Sequence, residues 1–112
     1  MRPESRFALG HVLEAAREIQ LATEGRSFSD YEADKRLRAV VERYFITIGE
    51  GLSRLARHDS ELFARIPGGR GVVAFRNVLV HGYDVVDSEQ VWAAVKDDLE
   101  NLVSSVTELL AG

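Results

Sequence analysis

The residues best suited to chemistry lie close together in the last third of the chain. Arg76 precedes His81 by five residues, and Tyr83 follows two residues after His81. An imidazole accepts or donates a proton near neutral pH, and a guanidinium binds a phosphate through paired hydrogen bonds while staying charged. Phosphodiester cleavage needs this set, because it requires a base for the attacking hydroxyl, a cation for developing charge and an acid for the leaving group.

The spacing of these residues poses a geometric problem if the segment is helical. Asn77 and His81 are then one turn apart on one face, whereas Arg76 and His81 lie about 140° apart around the axis and about 7.5 Å apart along it. Arg76 and His81 can flank one ligand only across the helix end, or if a second copy of the chain supplies half of the site. A helix-end histidine near an arginine is also a common structural arrangement.

The charge around this segment differs from that of the whole chain. From residue 62 to residue 83 there are three arginines and no acidic residue, whereas the whole chain has a formal net charge of -4. Acidic proteins do not normally coat nucleic acids, but a local phosphate site remains compatible with this charge. Surface solvation explains the same local charge equally well. Glu50, outside this region, either supports the site or is simply solvated.

The composition indicates a single globular domain over residues 1–112. The chain has 46% hydrophobic and 29% charged residues, no cysteine and no apolar run of membrane-spanning length. The absence of cysteine excludes disulfides and thiol chemistry. Since the N-terminus also lacks a signal-peptide pattern, we expect a cytoplasmic protein without membrane association. His11 and His58 have no partner at metal-ligand spacing, and Gly68–Gly71 lacks the Lys-Ser/Thr of a P-loop, so we expect neither metal nor cofactor.

The apolar spacing predicts an all-α bundle of four main helices that position the segment. The expected helices span Ser5–Glu24, Tyr31–Arg57, Val72–His81 and Asp87 or Ser88 to Leu110, with short helical turns near Phe28–Tyr31 and Ser60–Ile66. Ser5 is the expected N-cap of the first helix. The valines of the third helix also suit a strand, but no second strand pattern exists to pair with it. Gly49 and Gly51 inside the second helix indicate a close helix contact or a kink.

A family resemblance covers nearly the whole chain in order. The residues from Arg76 to Tyr83 match R-x(4)-H-x-Y, the signature of HEPN-type ribonucleases, and the chain resembles the HepT-like branch of these toxins. The other matching segments are Leu13–Ala16, Thr23–Gly25, Ile48–Glu50 with Leu55, Val91–Trp92 and Asp97–Leu99. The stretch Pro67–Gly71 departs from relatives, which often have an aromatic and a helix-forming stretch there. The resemblance therefore does not define where the motif helix begins.

The resemblance implies a HEPN-like fold and a metal-independent endoribonuclease that uses the RNA 2′-hydroxyl as nucleophile. It implies a homodimer in which two motifs face each other, with Arg76 binding the phosphate and His81 transferring a proton. Asn77 would orient the substrate or His81, and Tyr83 would complete the pocket. The implied partner is a minimal nucleotidyltransferase antitoxin, as in type VII toxin–antitoxin pairs, which silences the toxin by adding AMP to Tyr83. RNA is the expected substrate, and DNA is not expected.

Two other functions compete with this interpretation. The chain could be a catalytically idle HEPN domain that acts as an adaptor, or a helical module that only dimerises. The presence of Arg76, His81 and Tyr83 together favours the enzyme, since an idle domain has no reason to keep all three.

Overall fold

The computed structural model describes residues 1–82 and 86–112 of the chain. Within these ranges it contains helices and no strand, which confirms the all-α prediction. The helices are α1 (Pro3–Thr23), α2 (Phe28–Ala33), α3 (Lys35–His58), α4 (Ser60–Phe63), α5 (Gly69–His81), α6 (Ser88–Ala93) and α7 (Leu99–Ala111). A π-helical segment, Ala94–Asp98, joins α6 to α7. No helix in the described ranges is both long and apolar enough to cross a membrane.

Four long helical units form the bundle: α1, α3, α5 and the continuous unit from α6 to α7. α3 lies at the centre, with α1 and α5 packed against it, and α1 also contacts α7. The core where these units meet is mainly aliphatic, with Tyr31 and Phe45 as its buried aromatic members. Its most buried members include Leu9, Val12, Ile19, Val41, Ile48, Leu52, Val91 and Val106. This apolar interior supplies the main stabilisation of the fold.

The predicted second helix is divided in two. Asp34 adopts an extended backbone conformation (φ -104°, ψ 97°), and its side chain accepts a hydrogen bond from the backbone N–H of Leu37 at 3.0 Å. Asp34 thus caps α3, while Tyr31 belongs to the separate helix α2. The prediction of one helix from Tyr31 was wrong because the apolar periodicity continues across the break. The second expected short turn forms α4.

The predicted N-cap at Ser5 was also wrong. α1 begins at Pro3 with Arg2 as its N-cap, and proline is favoured at this first helical position. Ser5 is instead buried within α1, where its hydroxyl donates a hydrogen bond to Asp59 Oδ2 at 2.8 Å. This bond joins the start of α1 to the junction between α3 and α4.

Two glycines of α3 make the close contacts that the sequence indicates. A Cβ atom on Gly51 would lie 2.7 Å from Val12 Cγ2 of α1. A Cβ atom on Gly49 would lie 2.2 Å from Arg76 Cβ of α5, far inside van der Waals contact. Glycine at these positions therefore allows both helices to pack directly on α3. The contact at Gly49 determines where Arg76 lies.

Candidate active site

The candidate site lies at the C-terminal end of α5. This helix begins at Gly69, three residues earlier than predicted, after Gly68 turns the chain with a left-handed φ of 76°. It ends at His81, where the N–H of Gly82 donates to the carbonyl of Val78 at 2.8 Å. Arg76, Asn77 and His81 therefore lie on one regular helix. The predicted Tyr83 lies outside the described residues.

The Arg76 side chain lies between two oxygen acceptors at the surface shared by α3 and α5. Its Nη1 donates to Asn77 Oδ1 at 3.1 Å, and its Nη2 lies 3.5 Å from Glu50 Oε2. Its Nε is buried without a hydrogen-bond partner, while 27% of the side chain is exposed. The contact to Glu50 is long and partly solvated, so it binds the guanidinium weakly. A phosphate can therefore compete for the exposed edge of Arg76.

Asn77 and His81 are exposed on α5 one turn apart, as their spacing predicts. The hydrogen bonds of the Arg76 guanidinium within the described residues go to Asn77 and Glu50. Arg76 thus contacts α3 through Glu50, whereas His81 is exposed in the last turn of α5. Because α5 is a regular helix from Gly69 to His81, the predicted separation of about 140° around the axis applies, and both a ligand across the helix end and a site shared with a second copy stay open.

Glu50 is the residue near the site whose role the sequence left open. The structure places its carboxylate beside the Arg76 guanidinium, which favours the supporting role over simple solvation. The signal for this contact was Gly49, because a glycine within an apolar helical pattern marks a close approach by another helix. The sequence could not identify Arg76 as the residue that approaches.

The three arginines of the basic region have different surroundings. Arg65 lies beside Ser105 and Glu108 of α7, and Arg70 is exposed in the first turn of α5. Neither takes part in the hydrogen bonds of Arg76. His11 and His58 are both exposed. Within the described residues no group of three or more histidines and carboxylates is arranged to hold a metal ion.

The chain is thus a helical bundle that carries an arginine and a histidine five residues apart on a partly exposed helix, as in the ribonuclease family it resembles. The model of the family described as "Ribonuclease HepT-like" matches residues 12–109. The chain belongs to this family, which confirms the resemblance inferred from its motifs.

Similar curated proteins come from archaea. The chain is 28% identical over 109 residues to "Probable ribonuclease HepT" of Thermococcus cleftensis, covering 97% of this chain and 98% of that protein. It is 27% identical over 110 residues to a Methanocaldococcus jannaschii protein named "Gamma-glutamylcyclotransferase and putative RNase". That match covers 98% of this chain and 49% of the relative, so the chain spans about half of that protein's length. No solved structure gives a significant match.

Proposed function

We propose that the chain is the toxin of a type VII-like toxin–antitoxin pair and acts in the cytoplasm as a metal-independent endoribonuclease. The observation that carries the proposal is the Arg76 guanidinium, which α3 and Asn77 hold at the protein surface on the same helix as His81. The family match over residues 12–109 supports ribonuclease activity for the chain.

The reaction needs one proton removed and one proton supplied. The RNA 2′-hydroxyl loses its proton and attacks the adjacent phosphorus, the bond from phosphorus to the 5′-oxygen breaks, and that oxygen gains a proton. Arg76 stabilises the charge that develops on the phosphate oxygens. His81 transfers one of the two protons, and Asn77 holds the guanidinium in position. The products carry a 2′,3′-cyclic phosphate and a 5′-hydroxyl.

Two protomers complete each site in this proposal. The separation of Arg76 and His81 by about 140° around α5 no longer matters if the Arg76 of one protomer meets the substrate opposite the His81 of its partner. The exposed face of α5 is available for this pairing, since it carries Ala74, Asn77 and Val78, the last with 39% of its surface exposed. Light scattering should therefore report a dimer at micromolar concentration, and a monomer would overturn the shared site.

The mutational test compares the RNA cleavage rates of three variants, each of which replaces one charged or titratable residue of α5 by alanine. His81→Ala and Arg76→Ala should each lower the rate of RNA cleavage in EDTA-containing buffer by about 10²–10⁴-fold, because each removes a group that acts on the reacting atoms. Arg70→Ala is the matched control: it removes an exposed arginine from the same helix and should retain full activity. Full activity of His81→Ala, or a requirement for a divalent metal, would contradict the mechanism, whereas absence of cleavage by the wild-type protein would favour an idle adaptor domain.

Tyr83 is the proposed target of the partner nucleotidyltransferase. Its oxygen attacks the α-phosphate of ATP, so a phosphodiester bond forms and pyrophosphate leaves. The other tyrosines are poor targets, since Tyr31 is fully buried and Tyr44 is partly buried. Burial also raises the pKa of the Tyr31 hydroxyl, which disfavours its ionised form. The added phosphate would attract Arg76 and block RNA.

Mass spectrometry after co-expression with a neighbouring nucleotidyltransferase tests this modification. AMP should map to the peptide that contains Tyr83 and disappear in Tyr83→Phe. If the partner restrains toxicity while Tyr83 stays unmodified, inhibition occurs by binding alone.

A further inference from the structure

One exposed face of α3 carries a regular row of arginines. Residues spaced by alternating steps of four and three lie on a single face of a helix. The row consists of Arg36, Val40, Arg43, Thr47, Glu50, Arg54 and Arg57, all exposed except the partly buried Thr47. We refer to these seven residues as the arginine row. Its ends are separated by about 31 Å at the rise of an α-helix.

The arginine row is positively charged although the protein is acidic. It holds four of the 14 basic residues in a chain whose net charge is -4. The ion pairs within the described residues are Arg26–Asp34 and Arg76–Glu50, so none of the row's four arginines has a carboxylate within 4.0 Å there. Arg57 donates to the hydroxyl of Ser53, a neutral partner. These cations are therefore available to an anionic ligand.

The arginine row passes directly beside the candidate active site. Glu50 is its single acid, and this carboxylate faces the guanidinium of Arg76 at 3.5 Å. Arg43 and Arg57 each lie seven residues from Glu50, which is about 10 Å along the helix on either side. The row thus extends in both directions from the arginine that would bind the scissile phosphate.

We propose that the arginine row binds the RNA backbone on both sides of the cleaved phosphate, without reading its sequence. This inference rests on the proposed function. Repeated phosphates of a single strand match a linear series of unpaired arginines, and contacts of this kind position a nucleic acid without specifying its bases. A protein partner fits less well, since Val40 is the row's one exposed aliphatic side chain and protein interfaces need an apolar centre.

The test measures binding of the full-length protein to a fluorescent single-stranded 2′-O-methyl RNA, which lacks the attacking hydroxyl and stays intact. Arg43→Gln/Arg54→Gln should weaken binding about 10- to 30-fold near 0.1 M salt, and the slope of log affinity against log salt should fall by about 1.4. Arg17→Gln/Arg65→Gln is the matched control. It removes the same charge from exposed positions on α1 and beside α7, and it should bind like the wild type.

Three results separate this inference from the proposed function. If wild-type protein cleaves unmodified RNA and the row variant binds with unchanged affinity and salt slope, the inference is overturned and the enzyme stands. If the arginine row binds RNA but the wild-type protein never cleaves it, the inference is supported and the ribonuclease proposal fails. If the row variant loses dimerisation in light scattering while its RNA affinity is retained, the row is a protein contact and the inference is wrong.

Discussion

α1 and α5 both pack on α3, but the fraction of their residues that is buried differs greatly. α1 has eight buried residues among 21, whereas α5 has only Gly69 and Leu79 buried among 13. α1 is thus a structural element of the core. The other residues of α5 are exposed or only partly buried, and the candidate catalytic residues lie among them.

A glycine of α3 allows the close approach of each helix, but the two contacts have different consequences. On one side of α3, Gly51 admits an aliphatic side chain of α1, Val12, and the contact extends the core. On the other side, Gly49 admits the stem of Arg76, and the contact leaves a charged group at the surface. The space beside a glycine can therefore extend the core when an aliphatic side chain occupies it, or position a surface cation when the stem of an arginine occupies it.

The largest stability effect is expected on the α1 side. Leu9 of α1 is fully buried, so Leu9→Ala should lower the free energy of unfolding by about 2–5 kcal/mol through lost burial and the cavity left behind. Urea denaturation followed by circular dichroism measures this. Leu21→Ala on α1 is the control, since Leu21 is 66% exposed and its loss should cost under about 0.5 kcal/mol. Equal effects of the two substitutions would contradict the core described for α1 and α3.

A smaller stability effect with a large functional effect is expected on the α5 side. Gly49→Ala places a Cβ atom 2.2 Å from Arg76 Cβ, so α5 must shift. Overpacking of this kind costs about 1–3 kcal/mol, and the displaced Arg76 should lose RNA cleavage. Gly10→Ala, whose Cβ meets nothing within 4 Å, should instead stabilise α1 by about 0.5–1 kcal/mol and keep full activity. An active Gly49→Ala protein would show that the position of Arg76 does not matter.

The smallest expected effect is the pH dependence of stability that comes from Asp59, which joins α3 and α4 to the start of α1. The hydrogen bond from Ser5, followed by that from the Leu62 N–H, holds the pKa of Asp59 below its usual value despite some burial. A lowered pKa in the folded state stabilises the protein above the unfolded value near 3.8, and this contribution is lost as pH falls through the folded value. Urea midpoints should therefore drop on acidification below about pH 4.

Ser5→Ala should reduce this drop, because it removes the main cause of the lowered pKa. Ser104→Ala is the control, since Ser104 is exposed on α7. A drop of the same size in Ser5→Ala as in wild type would assign the acid sensitivity to other carboxylates.

The sequence predicted the all-α bundle and the helix of the candidate site, because apolar periodicity is a local property of the chain. It did not predict the break at Asp34, since a capping side chain redirects the backbone without interrupting the apolar pattern. The prediction for Ser5 was wrong for a different reason, because its partner Asp59 is 54 residues away in the sequence. The contact between Glu50 and Arg76 likewise depends on how two helices pack. The roles of Arg76, His81, Asn77 and Tyr83 stay predictions.

Mixed dimers test the shared site most directly. Arg76→Ala and His81→Ala chains carrying different affinity tags are co-expressed, and dimers containing one of each are purified. If each site combines Arg76 of one protomer with His81 of its partner, every mixed dimer holds one complete site. Such dimers should cleave RNA at about half the wild-type rate, while each parent variant stays inactive. Mixed dimers as inactive as their parents would show that the site is not shared between protomers.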